Sequence, residues 1–89
     1  MQTTRPSELR NLGPKSDAML ASVGIHTHAE LAARGAIDAF VALKRAGQPV
    51  SLNLLWALEG ALTGRHWRDV ARDDRLRLLN ELEARGLHL

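Results

Sequence analysis

The chain has 89 residues, of which 45% are hydrophobic, and its formal net charge at pH 7 is +2. A chain of this length supports one hydrophobic core, so residues 1–89 are predicted to form a single domain with an ordered part at about 7–86. The absence of cysteine excludes disulfides, thiolate metal sites and thiol nucleophiles, and it fits a reducing cytoplasm. Only Phe40, Trp56 and Trp67 are aromatic, so aliphatic side chains must build the core, which favours helices.

No stretch of the sequence predicts export or membrane insertion. The N-terminus lacks the apolar segment of a secretory signal, and no apolar run approaches the roughly 18 residues of a membrane span. A cytoplasmic location and no membrane partner are therefore predicted. The cationic side chains are ten Arg and two Lys. They favour an anionic partner only weakly, because arginine is also a common solvated residue on helix surfaces.

Five glycines each follow a helix-like stretch and mark predicted helix ends. A glycine with left-handed backbone commonly terminates a helix, and the positions are Gly24, Gly35, Gly47, Gly64 and Gly86. A short helical turn is predicted around Ser7–Arg10. The next helix is expected to run from Pro14, a favoured first helical position, to Val23.

Two further helices are predicted between Thr27 and Ala46. Thr27 and Glu30 form a capping-box pattern, in which each side chain accepts from an otherwise unpaired backbone N–H group. This helix is predicted to end at Arg34, before Gly35. Another helix is predicted over about Ala36–Ala46, and it is apolar on most sides.

The C-terminal half is predicted to hold a central helix and a covering helix. Ser51 is the expected N-cap of the central helix, which is apolar nearly all round and runs to Thr63. Residues 65–69 are predicted to connect it to a last helix over about Ala71–Arg85. Its inward face is expected to carry Leu76, Leu79 and Leu82. With no strand pattern, the sequence predicts an all-α, compact bundle of five to six short helices.

A helical hairpin near the start of the chain is the first candidate site. The segment Leu9–Ser16, with the helix after it, resembles a helix-hairpin-helix element. There the N–H groups of a tight turn and of the next helix bind a nucleic-acid phosphate. The candidate nucleic-acid-binding residues are Asn11, Gly13, Lys15 and Ser16. Asn11 replaces a usual glycine, and Asn adopts left-handed backbone more readily than most residues. Such hairpins also serve simply as turns or as protein-interaction modules.

A second candidate surface lies in the predicted connection, at Arg65, His66, Trp67 and Arg68. A tryptophan flanked by cationic and imidazole groups suits stacking against a partner. Trp56, in contrast, is expected to lie in the core.

Other polar residues have alternative interpretations. Arg68, Arg72 and Arg75 recur at i, i+4 and i+7, and they form a basic stripe if the last helix extends back to them. The interleaved aspartates favour a salt-bridged, solvated face instead. The isolated polar residues Asn53 and Glu59 are expected to pair with nearby backbone or arginine groups.

No metal, cofactor or catalytic motif is predicted. His26 and His28 are two residues apart, and no carboxylate lies at metal-ligand spacing from His66 or His88. The sequence has no phosphate-binding P-loop, dinucleotide fingerprint or nucleophile elbow. The chain is therefore predicted not to be an enzyme.

One family resemblance covers nearly the whole chain. It is carried by Leu12–Ser16, by Gly24–Thr27 and above all by Ser51–Leu62 with Gly64–Trp67. These segments resemble the C-terminal domain of the TfoX/Sxy family, bacterial regulators of competence for DNA uptake. The resemblance implies a helical domain without a catalytic site that acts in transcription regulation alongside a cyclic-AMP-responsive activator. Full-length members also carry an N-terminal α/β domain, for which a chain beginning at Met1 has no room. A separately encoded N-terminal TfoX domain therefore joins the implied partners.

These patterns lead to one hypothesis and one alternative. The hypothesis is a non-enzymatic binding module with a helix-hairpin-helix-like, SAM-domain-like N-terminal half. It acts in competence and DNA transformation by contacting the DNA phosphate backbone or a transcription activator. The alternative is a protein–protein interaction domain without nucleic-acid binding, which predicts an exposed apolar patch and no salt-dependent DNA affinity.

Overall fold

The structure, a computed structural model, describes residues 12–87. These residues form six helices: α1 Pro14–Ala21, α2 His28–Arg34, α3 Ala36–Arg45, α4 Leu52–Thr63, α5 Trp67–Asp73 and α6 Arg75–Ala84. The described part of the chain contains no strand, so the predicted all-α fold is confirmed. Within it, no helix combines the length and the apolar character needed to cross a membrane. The predicted turn at Ser7–Arg10 lies outside the described residues.

The predicted N-caps of α2 and α4 are both present. The Thr27 hydroxyl accepts from the Glu30 backbone N–H at 3.1 Å, and the Ser51 hydroxyl accepts from the Leu54 N–H at 3.3 Å. The Glu30 carboxylate reaches back to the N–H of His26 at 2.7 Å, one residue before the cap. Short polar side chains therefore fix where these two helices begin, as the sequence predicts.

The end of α1 is a tight turn around Gly24. The Ile25 N–H donates to the Leu20 carbonyl at 2.9 Å, and the Gly24 N–H donates to the Ala21 carbonyl at 3.0 Å. Gly24 has φ +81°, a conformation that side chains with a Cβ rarely adopt. The helix ends at Ala21, before the predicted Val23, because its last turn tightens into bonds between residues three apart. This turn brings Ile25 into the core, where it is 1% exposed.

Helices α3 and α4 supply most of the core. Their buried apolar residues are Ala36, Ile37, Ala39, Phe40, Val41 and Leu43 from α3, and Leu55, Trp56, Ala57, Leu58 and Ala61 from α4. The central position of α4 and the burial of Trp56 are as predicted. Burying a large apolar side chain contributes roughly 1.5–3 kcal/mol, so this helix pair is the main source of stability.

The predicted connection at residues 65–69 and the single helix over Ala71–Arg85 are wrong. Helix α5 already begins at Trp67, and Asp74, with φ −112° and ψ 5°, separates it from α6. Helix α5 packs against α4, whereas α6 packs against α3 as well as against α5. The chain bends at Asp74 because one straight helix could not lie along both surfaces.

The predicted inward face of the last helix is also partly wrong. Leu78 and Leu82 are fully buried, and Leu79 packs against the core. Leu76 is 73% exposed. Leu76 lies two residues before Leu78, about 200° around the helix, so only one of the two can face the core. The bend at Asp74 sets the orientation of α6 and selects Leu78.

Candidate nucleic-acid interface

The N-terminus of α1 presents backbone donors without a side-chain cap. Gly13 is the N-cap residue and has no side chain that could accept from the first turn. The first intrahelical bond is from the Asp17 N–H to the Gly13 carbonyl at 3.2 Å, so the N–H groups of Lys15 and Ser16 precede the ladder. Asn11, the other predicted phosphate ligand, lies outside the described residues.

Among the described residues, the space beside Gly13 is open. A Cβ built on Gly13 would meet no described atom within 4 Å. Its φ of −130° and ψ of −177° are extended and accessible to any residue. The backbone of α1 therefore does not require glycine here, and no side chain of Gly13 stands in front of the first-turn N–H groups. The exposed Lys15 and the half-buried Ser16 lie beside this space, and Lys15 has no ion-pair partner among residues 12–87.

The second predicted surface forms where α4 turns into α5. The His66 ring nitrogen Nδ1 accepts from the Arg68 backbone N–H at 3.1 Å and so caps α5. The His66 ring stacks on Trp67 with a centroid distance of 5.6 Å, and the Arg68 guanidinium lies 5.3 Å from the Trp67 ring centroid. These three residues form one partly exposed stack.

Arg65, the fourth residue of that predicted surface, forms an ion pair within the domain. Its guanidinium pairs with the Asp74 carboxylate, which also accepts from Arg77 at 2.9 Å. Arg77 bonds Glu59 at 2.8 Å in addition, which confirms the predicted pairing of Glu59. The hydrogen bonds from Arg65 first, and then from Arg77, hold the pKa of Asp74 below its usual range. Arg65 therefore stabilises the bend at Asp74.

A surface groove joins the two predicted sites. Ser16 from α1 and Trp67 from α5 line the same cavity, of about 360 Å³. Its other lining residues, Asn53, Leu54 and Ala57, come from α4. We refer to it as the α1–α5 groove. Asn53 is exposed, and its side chain forms no hydrogen bond within the described part of the chain, contrary to the prediction that it pairs. Leu54 and Ala57 were not predicted as wall residues, because an apolar central helix suggests burial alone.

The basic stripe that was conditional on one continuous last helix is not present on α5 and α6. Arg72 pairs with Asp73 at 2.9 Å and with Asp69 at 3.3 Å, and its hydrogen bond lowers the pKa of Asp73. Arg75 follows the bend at Asp74 and lies over the buried Trp56, 5.9 Å from the ring centroid. The face is salt-bridged, as the favoured interpretation of the sequence predicted.

Metal-ligating side chains do not cluster in the described part of the chain. Among residues 12–87 there is no group of three or more His, Asp or Glu side chains placed to hold a metal ion. The described lining of the α1–α5 groove consists of a hydroxyl, an amide and apolar groups, and it includes no carboxylate. Its chemistry suits binding through hydrogen bonds and apolar contact.

Comparison with known proteins extends this picture. Residues 2–82 match the family model for the TfoX C-terminal domain. The fold is similar to the crystal structure, in a triclinic form, of an uncharacterized protein from Listeria monocytogenes. The TM-score is 0.80 and the identity 30%, over 97% of this chain and 99% of that chain. The search of curated proteins found no match. With the match spanning all six helices nearly to the end of α6, this chain belongs to the TfoX C-terminal domain family.

Proposed function

We propose that this domain is a non-enzymatic module that binds the phosphate backbone of DNA through the N-terminus of α1 and the α1–α5 groove. The observation that carries the proposal is that Ser16 and Trp67, from the two sites predicted separately, line one groove. A phosphate-binding helix start beside an aromatic side chain is suited to a nucleotide chain, which alternates phosphates and flat bases.

Each group has a role in this binding mode. A phosphate at the start of α1 accepts from the N–H groups of Lys15 and Ser16, where the helix dipole is positive. The Lys15 ammonium and the Ser16 hydroxyl contribute further contacts. Trp67 offers a ring against which a sugar or an unpaired base packs. None of these contacts reads a base edge, so binding is expected to be independent of sequence.

Membership of the TfoX C-terminal domain family supports a proposal for the biological role. We infer that the domain acts in the cytoplasm in the regulation of competence and DNA transformation, through DNA or a transcription activator. A separately encoded N-terminal TfoX domain is the further proposed partner. In each case the domain supplies affinity and position, and no chemical step.

The first test measures fluorescence anisotropy of labelled duplex and single-stranded DNA across a salt series. Wild-type protein is expected to bind with an affinity that falls as salt rises, because phosphate contacts release counterions. Lys15→Ala is expected to weaken binding and flatten the salt slope. Lys44→Ala is the matched control, because it removes an exposed lysine of equal charge from the last turn of α3.

A second variant separates binding from folding. Gly13→Ser introduces a hydroxyl that accepts from the first-turn N–H groups, so it stabilises α1 by a few tenths of a kcal/mol. The same hydroxyl occupies the proposed phosphate site and fills the open space at Gly13. DNA affinity is expected to fall while stability rises, which no folding defect can produce. Unchanged affinity in both variants would contradict the proposal.

The apolar wall of the groove favours a second candidate, a protein-interaction domain. Leu54, Ala57 and Trp67 line one side. If folded protein fails to bind either form of DNA at low salt, the groove is expected to take an apolar side chain of a protein partner instead.

A further inference from the structure

A second groove lies outside the proposed DNA contact, where the C-terminal ends of three helices meet. It has a volume of about 430 Å³ and is lined by Arg34, Asp38, Val41, Ala42, Arg45 and Arg85. Arg34 ends α2, Arg45 ends α3 and Arg85 follows α6. We refer to it as the arginine groove. It shares no residue with the α1–α5 groove.

The arginine groove has more positive than negative charge. Among the described residues, three arginines and one aspartate line it, which gives a formal charge of +2. Arg85 donates to Asp38 at 2.7 Å and satisfies that carboxylate. Within residues 12–87, Arg45 makes only one long contact, to the Arg85 carbonyl at 3.5 Å, and Arg34 makes no side-chain hydrogen bond or ion pair. Arg34 and Arg45 therefore line the groove without an acidic partner among the described residues.

Helix dipoles explain only part of this arrangement. A cation at a helix C-terminus offsets the partial negative charge of the last carbonyl groups. That role needs each arginine to lie near its own helix end, but it does not need three of them to line one cavity. Two apolar residues, the buried Val41 and the half-buried Ala42, also line the cavity, and we refer to this apolar part of its lining as the floor. Convergent guanidinium groups above an apolar floor are typical of a site for an anion attached to an organic body.

We propose that the arginine groove binds the dianionic phosphate of a small phosphorylated molecule. The two unpaired guanidinium groups match the charge of a phosphomonoester above its second pKa of about 6. Their planar forks offer paired donors to its oxygens. The volume lies within the range of about 300–1,000 Å³ of small-molecule pockets, so the organic body has room beside the phosphate.

The direct test is a titration followed by NMR of the arginine side-chain Nε–Hε signals. Inorganic phosphate, adenosine 5′-monophosphate and glycerol phosphate are added in turn at pH 7.5 and constant ionic strength. Saturable shifts are expected at Arg34, Arg45 and Arg85. They are not expected at Arg72, which already pairs with two aspartates. Tighter binding of one organic phosphate than of inorganic phosphate identifies the organic body that the floor accepts.

Variants that are expected to raise the Kd and one that is expected to lower it make the test specific. Arg34→Gln or Arg45→Gln is expected to raise the Kd about tenfold or more, because a charge-assisted hydrogen bond is lost. Asp38→Asn is expected to lower the Kd, because it frees Arg85 and removes the carboxylate that repels the ligand. Arg72→Gln is the matched control and is expected to leave the Kd unchanged. Affinity is also expected to fall below about pH 6, where the phosphate becomes a monoanion.

Three outcomes would overturn the proposal. Equal shifts at Arg72 would mean general screening of surface charge. Equal binding of acetate would mean that the groove takes any anion. A Kd that responds to Lys15→Ala but not to Arg34→Gln would place phosphate at the start of α1. That last outcome would support the proposed DNA contact, so the two proposals fail separately.

Discussion

Arg65 and Asp74 form an ion pair that joins the two ends of α5. Arg65 precedes the helix and Asp74 follows it, and their side chains form an ion pair across nine residues of chain. Arg77, in the first turn of α6, shares the same carboxylate and extends the contact to Glu59 on α4. This carboxylate therefore fixes α5 and α6 against the central helix, and with them the position of Trp67.

Stability is expected to depend on pH through Asp74. Its hydrogen bonds with Arg65 and Arg77 hold its pKa below the ordinary aspartate range. Folding therefore gains stability from the ionised carboxylate above that range, and this gain is lost as the pH falls through the lowered pKa. Asp74→Asn is expected to lower the Tm at pH 7 by a few degrees, and the two Tm values are expected to converge as the pH falls through the lowered pKa of Asp74. Thermal unfolding followed by circular dichroism at several pH values measures both.

The control for that experiment is Asp38→Asn. Its carboxylate is 50% exposed and pairs with a single arginine, Arg85. Exposed pairs of this kind contribute little to stability, so the Tm at pH 7 is expected to stay nearly constant. An equal loss of Tm in both variants would mean that the change in net charge, and not the loss of the ion pairs at the Asp74 bend, lowers the Tm.

The register of α6 gives a paired prediction. Leu78→Ala is expected to destabilise the domain by about 3 kcal/mol, because it leaves a cavity at a fully buried position. Leu76→Ala is expected to change stability by less than about 0.5 kcal/mol, because its side chain already faces solvent. Urea unfolding at constant m-value compares the two. A larger effect at Leu76 would mean that another surface covers it.

Local chemistry explains which parts of this fold could be predicted. Thr27 and Ser51 start helices through their own hydroxyls, and Gly24 ends one through its backbone, so neighbouring residues hold the necessary information. The bend at Asp74 is different. It depends on Arg65 and Arg77 reaching one carboxylate after the helices have packed, which a periodicity cannot indicate. The same packing decides that Leu78, and not Leu76, is buried.

The candidate sites also have features that local sequence predicts and features that depend on packing. The exposed N–H groups of α1 follow from the local sequence Gly13-Pro14, and the stack around Trp67 follows from neighbouring residues. That Ser16 and Trp67 share a groove could not be predicted, because they are far apart in the chain and meet only across α4. The arginine groove was missed for the same reason. Arg34, Arg45 and Arg85 each look like an ordinary helix-terminal cation when read alone.

The turn after α1 is expected to require glycine. Gly24→Ala is expected to cost about 1–2 kcal/mol, because φ of +81° brings a Cβ against the following carbonyl group. Gly24→Asn is the matched variant and is expected to lose less, because Asn tolerates left-handed backbone better. Chemical denaturation measures both. Equal losses would mean that space, and not backbone conformation, excludes a side chain at this turn.

The two tryptophans allow the groove to be observed directly. Trp56 is 3% exposed in the core, whereas Trp67 is half-buried and lines the α1–α5 groove. With Trp56→Phe, all emission comes from Trp67, and acrylamide is expected to quench it more strongly than it quenches Trp56 in the reciprocal Trp67→Phe variant. This comparison also checks that both variants keep the fold.

Adding a short thymidine oligonucleotide then reports on binding. The emission of Trp67 is expected to fall with the same midpoint as the anisotropy of the labelled oligonucleotide, because stacking of a base on the indole quenches it. The emission of Trp56 is expected to stay constant, since its ring is buried in the core. If the oligonucleotide binds while Trp67 emission is unchanged, the contact lies elsewhere. The start of α1 would then have to bind phosphate without help from the groove.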